Sequence, residues 1–308
     1  MTADPLRVGV VGCGAIAQAV HIPLLRRIPG ATVVAVADPS ADACAAAARL
    51  APGAELFDGL ASLLGSGEVE AVVVCAPSAL HGLIVLDVLE AGKHLYLEKP
   101  LAVDREGAER AAAAASASSV VSTIGFNRRF HPAFLRLRDS LTEGAAGELR
   151  ELRTRFCEPV AGSLPAWKQH RGTGGGAMLD LASHHVDLVR FITGEEVELE
   201  SASIRSLASE HDEAELVLLL ASGARAVIEV AFHGARADVV EARCASRTLR
   251  ADRHASLRSR LRPGWDPSYR AALGAFVDRV QGAPVSLPTL EDGLRSLEIV
   301  LAAEDAAG

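Results

Sequence analysis

Residues 8–17 read VGVVGCGAIA, an apolar strand pattern that runs directly into two closely spaced glycines and then a helix. In such a turn Gly12 permits the tight reversal, Gly14 lets the backbone approach a pyrophosphate, and the small Ala17 lets the helix pack on the strand. The free N–H groups at the start of the helix then face the phosphates. The stretch therefore predicts a Rossmann domain that binds a dinucleotide.

Asp38 ends the next apolar run, 24 residues after Gly14. A carboxylate at the end of the second strand can accept hydrogen bonds from both ribose hydroxyls and would repel a 2′-phosphate, which favours NAD over NADP. Arg49 is near enough in sequence to bind such a phosphate instead. Two further interpretations stay open. Asp38 could cap the following helix, and the glycines could serve packing alone in a nucleotide-free Rossmann domain.

Residues 1–125 alternate short strands with Ala/Leu-rich helices. The predicted strands are Arg7–Val11, Thr32–Ala37, Ala71–Cys75, His94–Leu97 and Val120–Ile124, and the predicted helices are Ala15–Ile28, Ala41–Leu50, Leu80–Ala91 and Asp104–Ala115. The strands are apolar throughout rather than alternating, as in a parallel sheet that is covered on both faces. The pattern predicts a doubly wound parallel α/β sheet for this domain.

Residues 126–308 show a different order of elements. Strand-like runs occur at Glu148–Cys157, Leu199–Ser206, Glu213–Ala221, Ala224–His233 and Val239–Ala245, with a Gly/Pro-rich loop at Glu158–Gly176 and helices at Ala177–Thr193, Tyr269–Val280 and Leu290–Ala303. Consecutive strands predict a C-terminal α+β domain built on a large, mixed or mostly antiparallel sheet. The two terminal helices can pack back on the first domain.

Composition narrows the range of partners and locations. Hydrophobic residues make up 49% of the 308 and charged residues 23%, as in globular proteins. The net charge is −8 without a basic block, so nucleic acid is not expected as a partner. The apolar runs are of strand length and the N-terminus does not read as a secretory signal, so we expect a cytoplasmic protein without a membrane partner. Five scattered cysteines without a CxxC pair predict reduced thiols and no cysteine zinc site.

Lysine is rare in this chain. Of the 31 basic residues, only Lys93, Lys99 and Lys168 are lysines. Lys99 follows a predicted buried strand, at the edge where open α/β sheets bind ligands. Pro100 restricts its backbone to an extended conformation, and Glu98 could set its orientation. A lysine can give up its proton whereas an arginine cannot. Lys99 is therefore a candidate proton-transfer group, and a surface lysine at a strand end is the alternative.

Asp180, His184 and Asp187 are spaced i, i+4 and i+7, on one face of the predicted helix. A histidine with a carboxylate one turn away is suited to proton transfer near neutral pH. A helix-surface or capping role fits His185 and Asp187 equally well. The adjacent His184 and His185 point about 100° apart on a helix, so we predict no metal site.

The chain resembles the glucose–fructose oxidoreductase / inositol dehydrogenase / rhizopine catabolism (Gfo/Idh/MocA) family over nearly its whole length. The motifs that carry the resemblance are GCGAIA (12–17), HIP (21–23), CAPSALH (75–81), AGKHLYLEKPLA (91–102), GFNRRFHP (125–132) and GGGAMLDLASHHVDL (174–188). The family usually has Asn at the position of Ser78 and Gly at that of Ala182.

The resemblance implies oxidation of a secondary alcohol, or the reverse reduction, on a sugar, cyclitol or related polyhydroxylated ring. It implies that Lys99, Asp180 and His184 converge on the substrate hydroxyl opposite the nicotinamide. His184, helped by Lys99, would take the hydroxyl proton while the carbinol hydride moves to the nicotinamide C4. Asp180 would orient His184 or bind a neighbouring hydroxyl. A homodimer or homotetramer through the outer face of the C-terminal sheet is also expected.

Further residues complete the expected binding site. Cofactor contacts are expected at Gly12, Gly14, Ala15, Ile16, Asp38, Ala76, Pro77, Ser78, His81, Glu98, Lys99 and Arg129. Trp167 could stack on a sugar face, and Lys168 or Arg171 could meet polar substituents, or Trp167 could be a packing anchor in a connecting loop. Arg129 could line the cleft or form an interdomain salt bridge.

Two other functions compete with a dehydrogenase. A redox-assisted lyase or glycosidase would oxidise its substrate transiently and keep NAD tightly bound. A cofactor-binding sensor would have no turnover, but mere binding does not need Lys99, Asp180 and His184 together.

Overall fold

The computed structural model describes residues 4–159, 169–255 and 266–307. The first sheet is parallel and has the strands β1 (Leu6–Val11), β2 (Ala31–Ala37), β3 (Glu55–Phe57), β4 (Ala71–Val74), β5 (His94–Leu97) and β6 (Ser122–Ile124). Their order across the sheet is β3-β2-β1-β4-β5-β6. The order reverses between β1 and β4, and ligands of open α/β sheets bind at the carboxyl ends of strands beside such a reversal.

Helices connect these strands. A π-helical segment (Ala17–His21) continues into α1 (Ile22–Leu25), followed by α2 (Ala41–Leu50), α3 (Leu60–Gly65), α4 (His81–Glu90) and α5 (Arg105–Ala117). Every residue of β4 is buried, and β1 is buried at all but one. Apart from Arg7 these two strands are apolar, as expected for strands covered on both faces, which confirms the predicted doubly wound sheet.

The second sheet is mixed. Its strands are β7 (Leu149–Cys157), β8 (Val197–Arg205), β9 (Glu213–Leu220), β10 (Arg225–Ala231), β11 (Ala237–Cys244) and β12 (Thr248–Asp252), in the order β12-β11-β7-β10-β9-β8. Only β7 and β10 pair in parallel; the other described neighbours are antiparallel. Buried and exposed residues alternate along β9, so one face of the sheet is covered and the other is open. The predicted α+β architecture is confirmed.

In the described part of the second unit, the sheet is accompanied by α6 (Pro132–Thr142), a π-helical segment (Met178–Ala182) and α7 (Ser183–Thr193), with short 3-10 segments at Asn127–Phe130 and Arg171–Thr173. The predicted helix over Ala177–Thr193 is therefore not a continuous α-helix. The C-terminal helices are α8 (Pro267–Val280) and α9 (Leu290–Ala307). None of the helices in the described ranges is both long and apolar enough to cross a membrane.

The chain divides into two compact units. The first comprises Met1–Ala102, Glu106–Phe126 and Tyr269–Leu294, and the second Val103–Arg105, Asn127–Ser268 and Arg295–Gly308. Within the first unit the ring of Phe276 on α8 meets the buried Tyr96 edge-on, with 5.8 Å between centroids. The carbonyl of Pro288 accepts hydrogen bonds from Thr123 Oγ1 at 2.7 Å and from the backbone of Ile124. The segment 269–294 thus completes the unit that contains the parallel sheet.

Candidate functional site

The glycine-rich loop is tight at one glycine and open at the other. Gly12 has φ +86°, and a Cβ placed on it would lie 2.5 Å from the backbone N of Ala76 and from the carbonyl carbon of Cys75. A Cβ on Gly14 would meet no atom within 4 Å. Only glycine therefore fits at position 12, whereas the space beside Gly14 permits the close approach that a pyrophosphate needs.

Asp38 faces the same loop. Its Oδ2 accepts the backbone N–H of Cys13 at 2.7 Å, and its Oδ1 accepts the N–H of Ser40 at 2.8 Å. The cap of α2 is Ser40, whose hydroxyl accepts from Ala43 N, so the capping interpretation of Asp38 is wrong. An ionised carboxylate has about four acceptor positions, and two stay available for ribose hydroxyls. The residues present fit a dinucleotide.

The loop after β4 carries four of the predicted cofactor residues, Ala76, Pro77, Ser78 and His81. His81 is buried, with Nδ1 2.6 Å from the carbonyl oxygen of Pro100 and Nε2 2.9 Å from that of Ala76. Its ring joins the loops that follow β4 and β5. Both nitrogens therefore face the chain's own backbone, and the contribution of His81 to the site is to hold these loops together.

Lys99 lies directly beyond the carboxyl end of β5 and is half-buried. Its backbone N–H donates to Oε2 of the buried Glu98 at 3.3 Å. Oε1 of Glu98 lies 2.7 Å from Nε2 of His21, which is fully buried. The peptide bond between Lys99 and Pro100 is cis. Glu98 thus contacts the backbone of Lys99, and His21 is an additional member of the group; that Glu98 sets the orientation of the lysine stays a prediction.

Charge stabilises the His21–Glu98 pair. Burial alone would lower the pKa of His21, but the neighbouring Cys75 side chain and the Glu98 carboxylate raise it to about 10. Burial alone would raise the pKa of Glu98, but the hydrogen bond and charge of His21, with Lys99 nearby, hold it below the usual value. The pair is therefore an imidazolium and a carboxylate near neutral pH.

In the second unit, Asp180 and His184 lie on successive turns at the junction of the π-helical segment with α7. The N–H of Ser183 donates to the carbonyl of Met178, five residues earlier, and such π turns are frequent at functional sites. Asp180 is half-buried and His184 is buried. The ring of His184 meets Phe156 edge-on at 6.4 Å between centroids.

His185 and Asp187 are both buried, so a helix-surface role is wrong for either. Nε2 of His185 lies 3.2 Å from Oδ1 of Asp238. Asp187 accepts the guanidinium of Arg129, with Arg129 Nε 2.9 Å from Oδ2 and Nη2 2.5 Å from Oδ1. Both members of this ion pair belong to the second unit, so this pair is not the interdomain bridge that was the alternative for Arg129.

Arg171 is held within the second unit. Its Nε donates to both oxygens of Glu304, at 2.6 and 2.8 Å, and its Nη atoms donate to the carbonyl of Val103. The guanidinium therefore ties the loop before Asp180 to the C-terminal helix, and the expected contact to substrate substituents is not supported. Trp167 and Lys168 lie outside the described residues.

The structure thus groups the predicted residues by unit. Gly12, Gly14, Ala15, Ile16, Asp38, Ala76, Pro77, Ser78, His81, Glu98 and Lys99 belong to the first, and Arg129, Asp180 and His184 to the second. Sequence reasoning assigned no role to His21, although a histidine among apolar neighbours in the HIP motif was a usable signal. Across the described ranges, no three His, Cys, Asp or Glu side chains are grouped to hold a metal ion.

Two family models match the chain. Residues 6–126 match the oxidoreductase family with an NAD-binding Rossmann fold, and residues 134–249 match the GFO/IDH/MocA C-terminal domain. Together they cover the first sheet and the second sheet up to the start of β12.

Individual proteins and solved structures that are similar to this chain point to the same family. The chain is 34% identical to a dTDP-3,4-didehydro-2,6-dideoxy-alpha-D-glucose 3-reductase of Actinomadura kijaniata, over 66% of this chain and 60% of that protein, so it spans less than two thirds of that relative. It is 30% identical to an inositol 2-dehydrogenase of Ralstonia nicotianae, over 94% of this chain and 90% of that protein. The crystal structure of GenD2 from gentamicin A biosynthesis in complex with NAD superposes with a TM-score of 0.88 and 26% identity, covering 100% of this chain and 95% of that one.

Proposed function

This chain belongs to the Gfo/Idh/MocA oxidoreductase family, and from that premise we propose that it interconverts a secondary alcohol and a ketone on a polyhydroxylated ring. The observation that carries the proposal is the anchoring of Lys99 by the buried Glu98 at the carboxyl edge of the parallel sheet. Relatives named as an inositol dehydrogenase and a deoxysugar reductase support a ring substrate, a sugar or a cyclitol.

NAD is the cofactor that the first unit favours. The free acceptor positions of Asp38 suit two ribose hydroxyls, and its negative charge disfavours a 2′-phosphate. Its carboxylate is held toward the glycine loop by Cys13 and Ser40, so it does not need to reorganise when a ribose binds. These contacts support a preference for NAD over NADP.

The chain's own residues supply proton transfer and orientation. A bound dinucleotide supplies the hydride acceptor. His184, helped by Lys99 as a second proton-transfer group, takes the proton from the substrate hydroxyl oxygen. Asp180, half-buried one turn before His184, orients the imidazole or binds a neighbouring hydroxyl. Burial of His184 keeps water away from its ring.

A panel of cyclitols, sugars and keto-sugars tests this function. With each compound and either NAD or NADH, we expect a change at the absorbance band of the reduced nicotinamide for at least one member of the panel. Turnover that needs only one tightly bound equivalent of NAD would indicate transient redox chemistry instead. No redox change and no product with any member would contradict the proposal.

We further propose that the chain assembles as a homodimer or homotetramer through the open face of the second sheet. Opposite charges pair on that face: Arg205 of β8 with Glu213 of the neighbouring β9, and Arg225 of β10 with Glu200 of β8 across the intervening β9. Sedimentation that shows only monomer would contradict this assembly. A cytoplasmic location stays a prediction from the sequence.

A further inference from the structure

His21 connects the cofactor loop with the lysine segment. It is the last residue of the π-helical segment that continues from the glycine-rich turn. Its ring is fully buried and meets two tyrosine rings edge-on, Tyr96 at 5.7 Å and Tyr269 at 6.0 Å between centroids. The imidazole is therefore packed between two aromatic rings, and its Nε2 points to Glu98.

Glu98 uses its two oxygens in different directions. Oε1 faces His21 at 2.7 Å, and Oε2 accepts the backbone N–H of Lys99 at 3.3 Å. A Cβ on Gly125 would lie only 3.2 Å from Oε2, so the neighbouring strand end also closes around the carboxylate. A displacement of the His21 ring would therefore be passed through Glu98 to the backbone of Lys99.

We propose that His21 is a positioning residue for the reaction: its buried imidazole holds Glu98, and Glu98 holds the segment that carries Lys99. The inference rests on the role proposed for Lys99. The positive charge on the His21 ring matters as much as the shape of the ring. A buried carboxylate without a counter-ion takes up a proton and becomes a weaker hydrogen-bond acceptor. The titratable groups that face the pair are Cys75, His81, Tyr96, Lys99 and Tyr269.

The substitution His21→Gln tests this role because glutamine keeps an N–H donor but removes the charge. We expect about a tenfold fall in kcat at neutral pH, the scale of one lost charge-assisted hydrogen bond, with the KM for the dinucleotide changed less than about twofold. The acid limb of the kcat–pH profile should move to higher pH, since Glu98 without its cation protonates as the pH falls. In the double variant His21→Gln/Glu98→Gln the limb should return toward its wild-type position, because no carboxyl group is left to protonate.

His94→Gln is the matched control. His94 begins β5, the strand that ends before Glu98, and its Nδ1 accepts the backbone N–H of Val121 at 2.9 Å. The control removes a partly buried histidine from the same strand and should leave the pH profile unchanged. Equal pH profiles for wild type and His21→Gln, in folded protein, would overturn the proposal.

The scarcity of lysine provides a readout that does not depend on turnover. Reductive methylation with ¹³C-formaldehyde labels at most three lysines, and the resonance of Lys99 is identified by its loss in Lys99→Arg. We expect that resonance to move in His21→Gln and to stay in His94→Gln, while that of Lys93, the neighbour of His94, stays in His21→Gln. A resonance of Lys99 that is unmoved in His21→Gln would overturn the positioning role. Failure of every ring substrate would instead contradict the proposed function, and the spectra would still decide whether His21 positions Lys99.

Discussion

The backbone N–H of Cys13 donates to the carboxylate of Asp38 across 2.7 Å, which joins the glycine loop after β1 to the end of β2. The second oxygen of Asp38 accepts from Ser40 at 2.8 Å. One residue thus supports the loop that faces a pyrophosphate and keeps acceptor capacity for a ribose. Asp38 can therefore act in two ways, by supporting the glycine loop and by binding the cofactor. Affinity measurements on variants can tell these two roles apart.

Substitution Asp38→Ala should weaken NAD binding by about tenfold or more, since hydrogen bonds to a charged group contribute about 1.5–3 kcal/mol each. NADP affinity should be unchanged or improved, because the repulsive charge is removed. Calorimetric titration with both dinucleotides measures the two affinities. Asp42→Ala, an exposed carboxylate in the first turn of α2, is the control. If Asp38→Ala left the ratio of the two affinities unchanged, Asp38 would support the loop alone.

The two glycines of the loop should respond differently to alanine. Gly12→Ala places a Cβ 2.5 Å from the backbone of Ala76 at φ +86°, so it should destabilise the first unit by more than the roughly 1 kcal/mol of a tolerated glycine change. Gly14→Ala meets no atom within 4 Å and should leave the melting temperature near that of wild type while weakening dinucleotide binding. Gly59→Ala, which also meets no atom within 4 Å, should change neither quantity. Equal melting temperatures for Gly12→Ala and Gly14→Ala would contradict the packing argument.

Lys99→Ala should lower turnover by at least about a hundredfold, the usual scale for a positioned proton-transfer group, with little change in NAD binding. Lys99→Arg should not restore turnover, because a guanidinium does not give up its proton and its planar fork differs in shape from an ammonium. Lys93→Ala is the control, since Lys93 precedes the amino end of β5 whereas Lys99 follows its carboxyl end. Near wild-type turnover for Lys99→Arg would leave Lys99 as an electrostatic anchor only.

His184→Ala should cause a loss comparable with that of Lys99→Ala and should shift the pH–rate profile. The double variant should lose less than the product of the two single losses, because both groups act on one hydroxyl proton. Single and double variants are compared by kcat/KM with the best substrate of the panel. Fully multiplicative losses would indicate that the two residues serve separate steps.

Helices and strands with a clear hydrophobic period were predictable from the sequence. Elements that are short, or that carry many charged residues, were not. The helix α2 has the predicted bounds Ala41–Leu50 because its alanine-rich run ends cleanly. The three-residue β3 and the six-residue α3 were missed, since neither is long enough to show a period. The strand β12 (Thr248–Asp252) and α6 (Pro132–Thr142) were missed as well. A proline at the first position of α6, after the capping His131, was a readable start signal.

For the candidate site, sequence reasoning found residues but not their partners. Spacing alone placed Asp187 beside His184 on one helix face, yet Asp187 binds Arg129, 58 residues away in sequence. Likewise Glu98 pairs with His21 over a separation of 77 residues. Long-range pairs of this kind depend on how elements pack, and no local pattern in a single sequence encodes them.

Asp238 is the centre of a buried charge cluster beside the helix that carries His184. Its Oδ2 lies 2.9 Å from Arg128 Nη2 and 2.8 Å from Arg253 Nε, and its Oδ1 lies 3.2 Å from His185. Asp238→Asn removes this carboxylate from both guanidinium groups: the largely buried Arg128 loses the anion 2.9 Å from its Nη2, whereas Arg253 keeps Asp266, 2.8 Å from its Nη1. The free energy of unfolding of the chain should therefore fall by about 3–5 kcal/mol, as measured by urea titration at pH 7. Asp139→Asn, in an exposed pair with Arg138, should change it by less than about 1 kcal/mol.

The pH dependence of the same variant gives a further check on the charge of Asp238. Burial acts to raise the pKa of this carboxyl, but Arg128, Arg253 and His185 outweigh burial and hold the pKa well below its usual value. Because the folded-state pKa lies below that of the unfolded chain, the stabilisation is complete above about pH 4 and is lost progressively as the pH falls further. The difference in free energy of unfolding between wild type and Asp238→Asn should therefore be constant from about pH 5 to 7 and shrink below about pH 4. A difference that stayed constant down to pH 3 would show that the variant acts through packing rather than through the charge.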